Sequence, residues 1–185
     1  MSKVKAVLQA LEEGDVIGYP TEGVFGIGCD PDNIDAIEKL LAIKERPVEK
    51  GLILIAANYT QLQPYIDELR LSKENIIDMQ ASWPGPYTWI VPASSKVSKW
   101  VSGQFDTVAV RIIEHKGIQE LCLAYGKPIT STSANLTGQP PCMTAEDVEE
   151  QLGSQLGAIY FGKVGGRNNP SEIRDARTGN VLRQG

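Results

Sequence analysis

Residues 51–57 read GLILIAA, an apolar run with no polar interruption. A run so short buries best as a strand covered on both faces, since a half-exposed strand alternates and a buried helix needs greater length. The chain must therefore build a sheet with something packed on each side. Helical and extended patterns alternate around this strand. Val4, Val7, Leu8 and Leu11 recur at helical spacing and stop at Gly14, a residue suited to a left-handed cap. Residues 15–20 predict a short buried strand, and residues 21–28 a glycine-spaced loop. Asp30 and Pro31 predict a helix start with the proline in its first position. Ile34, Ile37, Leu40 and Leu41 give that helix one apolar face, and Pro47 ends it near Arg46.

Further along, helices are expected over 60–66 and 72–80, a turn over 83–86, and strands over 87–92 and 107–113. Ile118, Leu121, Cys122 and Tyr125 predict a helix capped by Gly126, followed by a strand over 128–131. Thr144 and Asp147 resemble a capping box for a helix to about Leu152. Residues 157–161 and 180–182 read as closing strands. No repeat or linker intervenes, so the reading is a single domain over residues 1–185, α/β or α+β, around a mixed sheet. A chain of this length buries roughly 70% of its unfolded surface.

The net charge of −5 argues against coating nucleic acid by bulk charge. A local basic cleft stays open, because Lys44, Arg46, Lys50 and Arg111 flank sheet elements. Lys163, Arg167, Arg174, Arg177 and Arg183 also crowd the last quarter. Cys29, Cys122 and Cys142 are odd in number and widely spaced, which disfavours a disulfide framework or zinc knuckle and leaves them as packing residues. The lone His115 disfavours His-rich metal sites and Ser-His or Cys-His catalysis, and no metal ligands are assigned. The first residues lack the apolar core of a signal peptide and no apolar run is long enough to span a membrane, so a cytoplasmic location is expected.

Two strings carry the chemistry. Lys44-x-Arg46-Pro47 places two cations at a helix end, where they could simply satisfy the helix dipole. Lys50 follows before the buried strand, at a sheet end where ligands dock. Ser131-Thr132-Ser133-Ala134-Asn135 is a run of neutral donors after a strand, either turn hydroxyls or contacts to a phosphate or ribose. Arginine grips phosphate bidentately and lysine sits beside it as a point charge, so together the strings suggest a nucleotide-using enzyme. Glycines 23, 26 and 28 do not spell G-x-G-x-x-G, and no GKS or GKT occurs. Thr21 and Glu22 are the polar groups at their strand's end. Arg111 lies in a strand otherwise of valine and alanine, so it needs a carboxylate partner, either internal or a substrate's. Trp83, Trp89 and Trp100 read as core, with base stacking the lesser alternative.

Six strings occur in order: Tyr19-Pro20-Thr21-Glu22, Lys44-x-Arg46-Pro47, Trp83-Pro84-Gly85-Pro86, Val108-Ala109-Val110-Arg111, the serine string, and Pro170-Ser171-Glu172-Ile173-Arg174-Asp175. Together they resemble the YrdC/TsaC family of threonylcarbamoyl-AMP synthases, in its bacterial single-domain form, from near residue 15 to Gly185. The resemblance implies a YrdC/RibB-like open, twisted mixed sheet flanked by helices around a large concave cleft. It implies conversion of L-threonine, bicarbonate or carbon dioxide, and ATP to threonylcarbamoyl-AMP and pyrophosphate. That product modifies the tRNA adenosine beside the anticodon with the help of partner proteins. Lys44 and Arg46 would be catalytic. ATP would be held by Lys44, Arg46, Lys50, Thr107, Ser133, Asn135 and Arg183, with Mg²⁺ expected. Threonine would be held by Thr21, Arg111, Ser131 and Ser171.

The chain departs from longer relatives at Lys50 (often Asn), at Ile55 (a threonine-contacting His) and at Phe25 (often Tyr). Glu22 is the nearest carboxylate to serve as a base. The competing readings are an RNA-binding module of the translation machinery and a sugar-phosphate lyase. The lyase would want an acidic Mg²⁺ cluster that the sequence does not offer.

Overall fold

Local chemistry sets most element boundaries. The structure, a computed structural model, describes residues 3–167 and 171–184; Pro170 and Gly185 lie outside them. Helix α1 (Lys3–Glu12) closes at Gly14, whose φ of 82° suits glycine. Strands β1 (Ile17–Pro20) and β2 (Phe25–Gly28) form an antiparallel hairpin. Helix α2 (Ile34–Lys44) ends where Glu45 turns left-handed at φ 48°. Then come β3 (Ile53–Ala56), the short α3 (Tyr59–Leu62), α4 (Lys73–Ala81), β4 (Tyr87–Pro92), the short α5 (Lys99–Ser102) and β5 (Thr107–Ile112). The chain continues through α6 (Lys116–Tyr125), β6 (Ile129–Ser133), α7 (Ala145–Leu152), β7 (Ala158–Ile159), β8 (Glu172–Asp175) and β9 (Val181–Arg183). Among the described residues no helix is long and apolar enough to cross a membrane.

The helix expected over 60–66 is the shorter α3 with a 3-10 turn at Gln63–Tyr65 after it, the strand expected over 157–161 is the two-residue β7, and four further differences bear on the site. The expected loop over 21–28 is a turn followed by strand β2, because its glycines serve close packing. A Cβ on Gly28 would lie 1.8 Å from the Thr130 carbonyl oxygen, and one on Gly26 would lie 3.2 Å from the Tyr19 ring. Helix α2 starts after Asn33, whose side chain accepts the Ala36 N–H, while Asp30 is engaged by Tyr125 and Lys127. Strand β6 runs on to Ser133, held by pairing with Gly26. Strand β8 was not expected from its polar sequence. Arg174 covers it by lying over the rings of Tyr87 at 4.6 Å and Trp89 at 5.5 Å.

The strands form one mixed sheet in the order β7-β1-β2-β6-β3-β5-β4-β8-β9, with β3 in the middle. On one face Phe25, Ile27, Leu54, Val91 and Val110 pack with α2 and α7. On the other, Ile17, Tyr19, Ile55 and Ile129 pack beneath α1 and α6 through Val7, Leu11, Ile118 and Leu121. That second cover is partial. Ile53 shares a face with Ile55 by strand alternation, yet Ile53 borders open space. The uncovered stretch of this face is the floor of a hollow. Ile55 is fully buried under the helices and outside the hollow, so an apolar side chain suits its place.

Candidate active site

The hollow has a volume of about 680 Å³, within the range of roughly 300–1,000 Å³ usual for small-molecule sites. Its floor is the β2–β6–β3–β5 stretch of the sheet, which presents Gly26, Ser131, Ser133, Ile53 and Arg111. The β1–β2 turn forms one wall. There the Thr21 hydroxyl donates to the Val24 carbonyl at 2.6 Å and accepts the Gly23 N–H at 3.3 Å.

Glu22 in the same turn meets Arg111 across the sheet. Arg111 Nη1 donates to Glu22 Oε1 at 2.7 Å and to the Gly85 carbonyl at 3.3 Å, while Glu22 Oε2 accepts the Glu114 N–H at 2.6 Å. The internal partner that a buried arginine requires is thus Glu22. Burial alone would raise the Glu22 pKa, but Arg111 and the backbone donors outweigh it and hold the carboxyl below its ordinary value. A carboxylate so engaged is a poor proton acceptor, which removes the physical case for Glu22 as a base.

Ser171 and Arg183 form the facing rim. The Ser171 hydroxyl lies 2.7 Å from Thr88 Oγ1, and Arg183 donates to the Ser171 carbonyl through Nε at 3.1 Å and Nη2 at 2.8 Å. Burial and then repulsion from Arg111 pull the Arg183 pKa down, which records two cations facing one space.

The two strings meet behind the floor. Lys44 Nζ donates to the carbonyls of Ser133 at 2.8 Å and Asn135 at 3.0 Å, and to Asn135 Oδ1 at 2.5 Å. The Ser133 hydroxyl donates to the same Oδ1 at 2.7 Å. Ser133 lines the hollow; Lys44 and Asn135 do not, but their bonds to Ser133 set its position. Burial, then the charge of Arg46, pushes the Lys44 pKa down to about 8. Arg46 lines the hollow and is braced by donating from Nε to the Gly51 carbonyl at 3.1 Å.

Of the residues singled out from sequence, Thr21, Arg46, Arg111, Ser131, Ser133, Ser171 and Arg183 share this one space. Lys50 and Thr107 do not line it. Lys50 closes the 3-10 turn Val48–Lys50, and Thr107 starts β5 opposite Pro92, at the far end of the strand from Arg111. The cations of the last quarter separate: Arg174 and Arg177 pair with Glu172 and Asp175, whereas Arg167 joins Arg183 at the hollow. Arg167 lines the hollow although no sequence string points to it. It is delivered by backbone bonds, from Gly165 N–H to the Thr21 carbonyl and from its own N–H to the Glu22 carbonyl, both 2.9 Å. The glycine pair before a cation at 165–167 was the available signal. Pro140, Pro141 and Met143 complete the wall and carried none.

The family described as Telomere recombination (Sua5/YciO/YrdC) matches residues 9–185. The chain belongs to this family. A relative from Vibrio campbellii, named threonylcarbamoyl-AMP synthase, is 66% identical over 185 residues, covering 100% of both chains. Among solved Sua5/YciO/YrdC structures, a doubly substituted P. abyssi Sua5 superposes with a TM-score of 0.90 at 27% identity, over 98% of this chain and 56% of that one. P. abyssi Sua5 complexed with L-threonine gives a TM-score of 0.85 at 28% identity, over 93% of this chain and 50% of that one. The chain thus spans about half the length of those Sua5 chains. The open mixed sheet expected from the resemblance is the architecture found.

Proposed function

We propose that this chain is a threonylcarbamoyl-AMP synthase, joining L-threonine, bicarbonate or carbon dioxide, and ATP into threonylcarbamoyl-AMP with release of pyrophosphate. One observation carries the reading. Four guanidinium groups, from Arg46, Arg111, Arg167 and Arg183, converge on a single hollow whose Arg111 end also holds Thr21, Ser131 and Ser171. A relative of that name, 66% identical over 185 residues, supports it.

In this reading threonine lies at the Arg111 end, and the triphosphate runs from Arg46 and Ser133 toward Arg183, which borders the threonine seat through its bonds to Ser171. The threonine ammonium and bicarbonate give a carbamate, with loss of water and one proton. A carbamate oxygen then bonds to the α-phosphorus as the α–β phosphoanhydride bond breaks and pyrophosphate departs. Both partners are anions, so the protein's task is to bring them together and absorb charge building on the phosphate. Arg46, just beyond α2, and Arg183, in β9, do so. Lys44 adds a point charge behind Ser133, and with Asn135 it fixes the Ser133 hydroxyl.

The residues do not fit a resident metal. Glu22 is the one carboxylate among the described lining residues and is held by Arg111, and no described group of three or more His, Cys, Asp or Glu side chains could enclose an ion. Magnesium would therefore enter on the triphosphate as part of the substrate. Delivery of the product to a tRNA adenosine, with partner proteins, belongs to the same proposal, as does the extent of the chain as a single domain.

The test is pyrophosphate release from ATP. It should require threonine and bicarbonate together, and radiolabelled bicarbonate should be incorporated with threonine in preference to other amino acids. An RNA-binding module would give no turnover, and its RNA affinity would fall steeply with salt.

A further inference from the structure

The hollow must seat two ligands of different electrostatic character. ATP is a polyanion, whereas threonine is a zwitterion with no net charge. A guanidinium grips phosphate at least as well as carboxylate, so four equivalent arginines would not distinguish the two seats. Glu22 breaks that equivalence. Its carboxylate is paired with Arg111 at 2.7 Å, and the two side chains are only 7% and 8% exposed. The Glu114 N–H holds its second oxygen, which keeps it from rotating away. Arg111 and Glu22 together are therefore a neutral unit, whereas Arg46, Arg167 and Arg183 have no carboxylate within 4 Å among the described residues. A phosphate approaching Arg111 meets the Glu22 charge. A zwitterion can place its carboxylate on the remaining guanidinium donors and its ammonium toward Glu22.

We propose that Glu22 is a specificity-determining residue for this reaction, reserving Arg111 for the amino-acid zwitterion and keeping phosphate off that guanidinium. This rests on the synthase reading. It assigns Glu22 neither a proton transfer nor a contact with the reacting atoms.

The test compares the full-length wild type with Glu22→Gln, which keeps the shape and the acceptor for the Glu114 N–H, removes the charge, and puts an amide NH2 in place of the oxygen that Arg111 holds. Calorimetric titration with pyrophosphate and with threonine needs no turnover. In the wild type, pyrophosphate should displace ATP and leave threonine binding unchanged. In Glu22→Gln, pyrophosphate should compete with threonine, and threonine should bind at least about tenfold more weakly, the scale of one lost charge-assisted contact. A folded Glu22→Gln variant in which pyrophosphate still does not compete with threonine overturns the proposal.

A second measurement needs no variant. The threonine analogue with hydroxyl in place of ammonium carries a net negative charge, and should bind the wild type at least about tenfold more weakly than threonine does. Equal binding overturns the proposal and decides the matter alone should Glu22→Gln fail to fold. A wild type that neither binds threonine nor releases pyrophosphate brings down the synthase reading as well. A wild type that turns over, beside a Glu22→Gln variant of unchanged selectivity, brings down only the role of Glu22.

Discussion

Lys44 Nζ lies 2.5 Å from Asn135 Oδ1, so the cation at the end of α2 is bound to the amide that closes the serine string. The contact holds an ammonium in a half-buried place beside Arg46, and its pKa falls to about 8. An anionic nucleotide favours the charged form. ATP affinity should therefore weaken as pH rises through about 8, and binding near that pH should take up a proton. Calorimetry in buffers of different ionisation enthalpy measures that uptake. The stability term runs the other way. The unfolded lysine stays protonated to about 10.4, so between the two values the unfolded chain binds more protons and this group adds stability as pH rises. Nucleotide affinity that does not change between pH 7 and 9 would place Lys44 outside the phosphate's reach.

Replacing Lys44 or Arg46 by alanine should lower threonine-dependent pyrophosphate release by about 10²–10³-fold, the usual cost of removing one electrostatic donor. Circular dichroism should show the fold retained. Lys50→Ala and Thr107→Ala should leave the ATP requirement within about twofold, as expected away from the site. A large effect at Lys50 would extend the nucleotide seat beyond the hollow.

Arg111→Ala should raise the threonine requirement more than the ATP requirement. It should also cost about 3 kcal/mol of stability, because the buried Glu22 charge is left without its partner. Urea unfolding measures that loss, and adding Glu22→Gln to Arg111→Ala should recover part of it. No recovery would show that the destabilisation comes from lost packing.

The glycines of β2 make a contrasting pair. At Gly28 an added Cβ would meet the Thr130 carbonyl oxygen at 1.8 Å, and backbone in a central strand cannot retreat, so Gly28→Ala should destabilise by about 3 kcal/mol or abolish soluble expression. At Gly26 the nearest atom is the Tyr19 ring at 3.2 Å, and Gly26→Ala should be the milder change in thermal melting.

Periodicity and capping chemistry made α6, α7, β4 and β5 readable, because each carries its own apolar rhythm and its own end signals. Strand β2 was not, since its glycines answer to Tyr19 and Thr130, residues distant in the chain. Strand β8 gains its apolar cover from Arg174 stacked on two rings, which no periodicity expresses. The site shows the same division. Lys44-x-Arg46 and the serine string are contiguous, so their chemistry could be read directly. That Arg111 needed a carboxylate was also readable; that Glu22 supplies it depends on how β1 and β5 end. Arg167 reaches the hollow through backbone bonds to Thr21 and Glu22, which depend on no side-chain type.

Ile53 and Ile55 are successive residues on one face of one strand, the first bordering the hollow and the second sealed beneath α1 and α6. The platform on which the chemistry takes place is thus continuous with the part of the molecule least able to deform. Substitutions that reshape it will be paid for in folding. Changes in substrate preference among relatives should accordingly accumulate in the surrounding segments, the β1–β2 turn, residues 140–143 and residues 163–167, where side chains can vary without disturbing the strands.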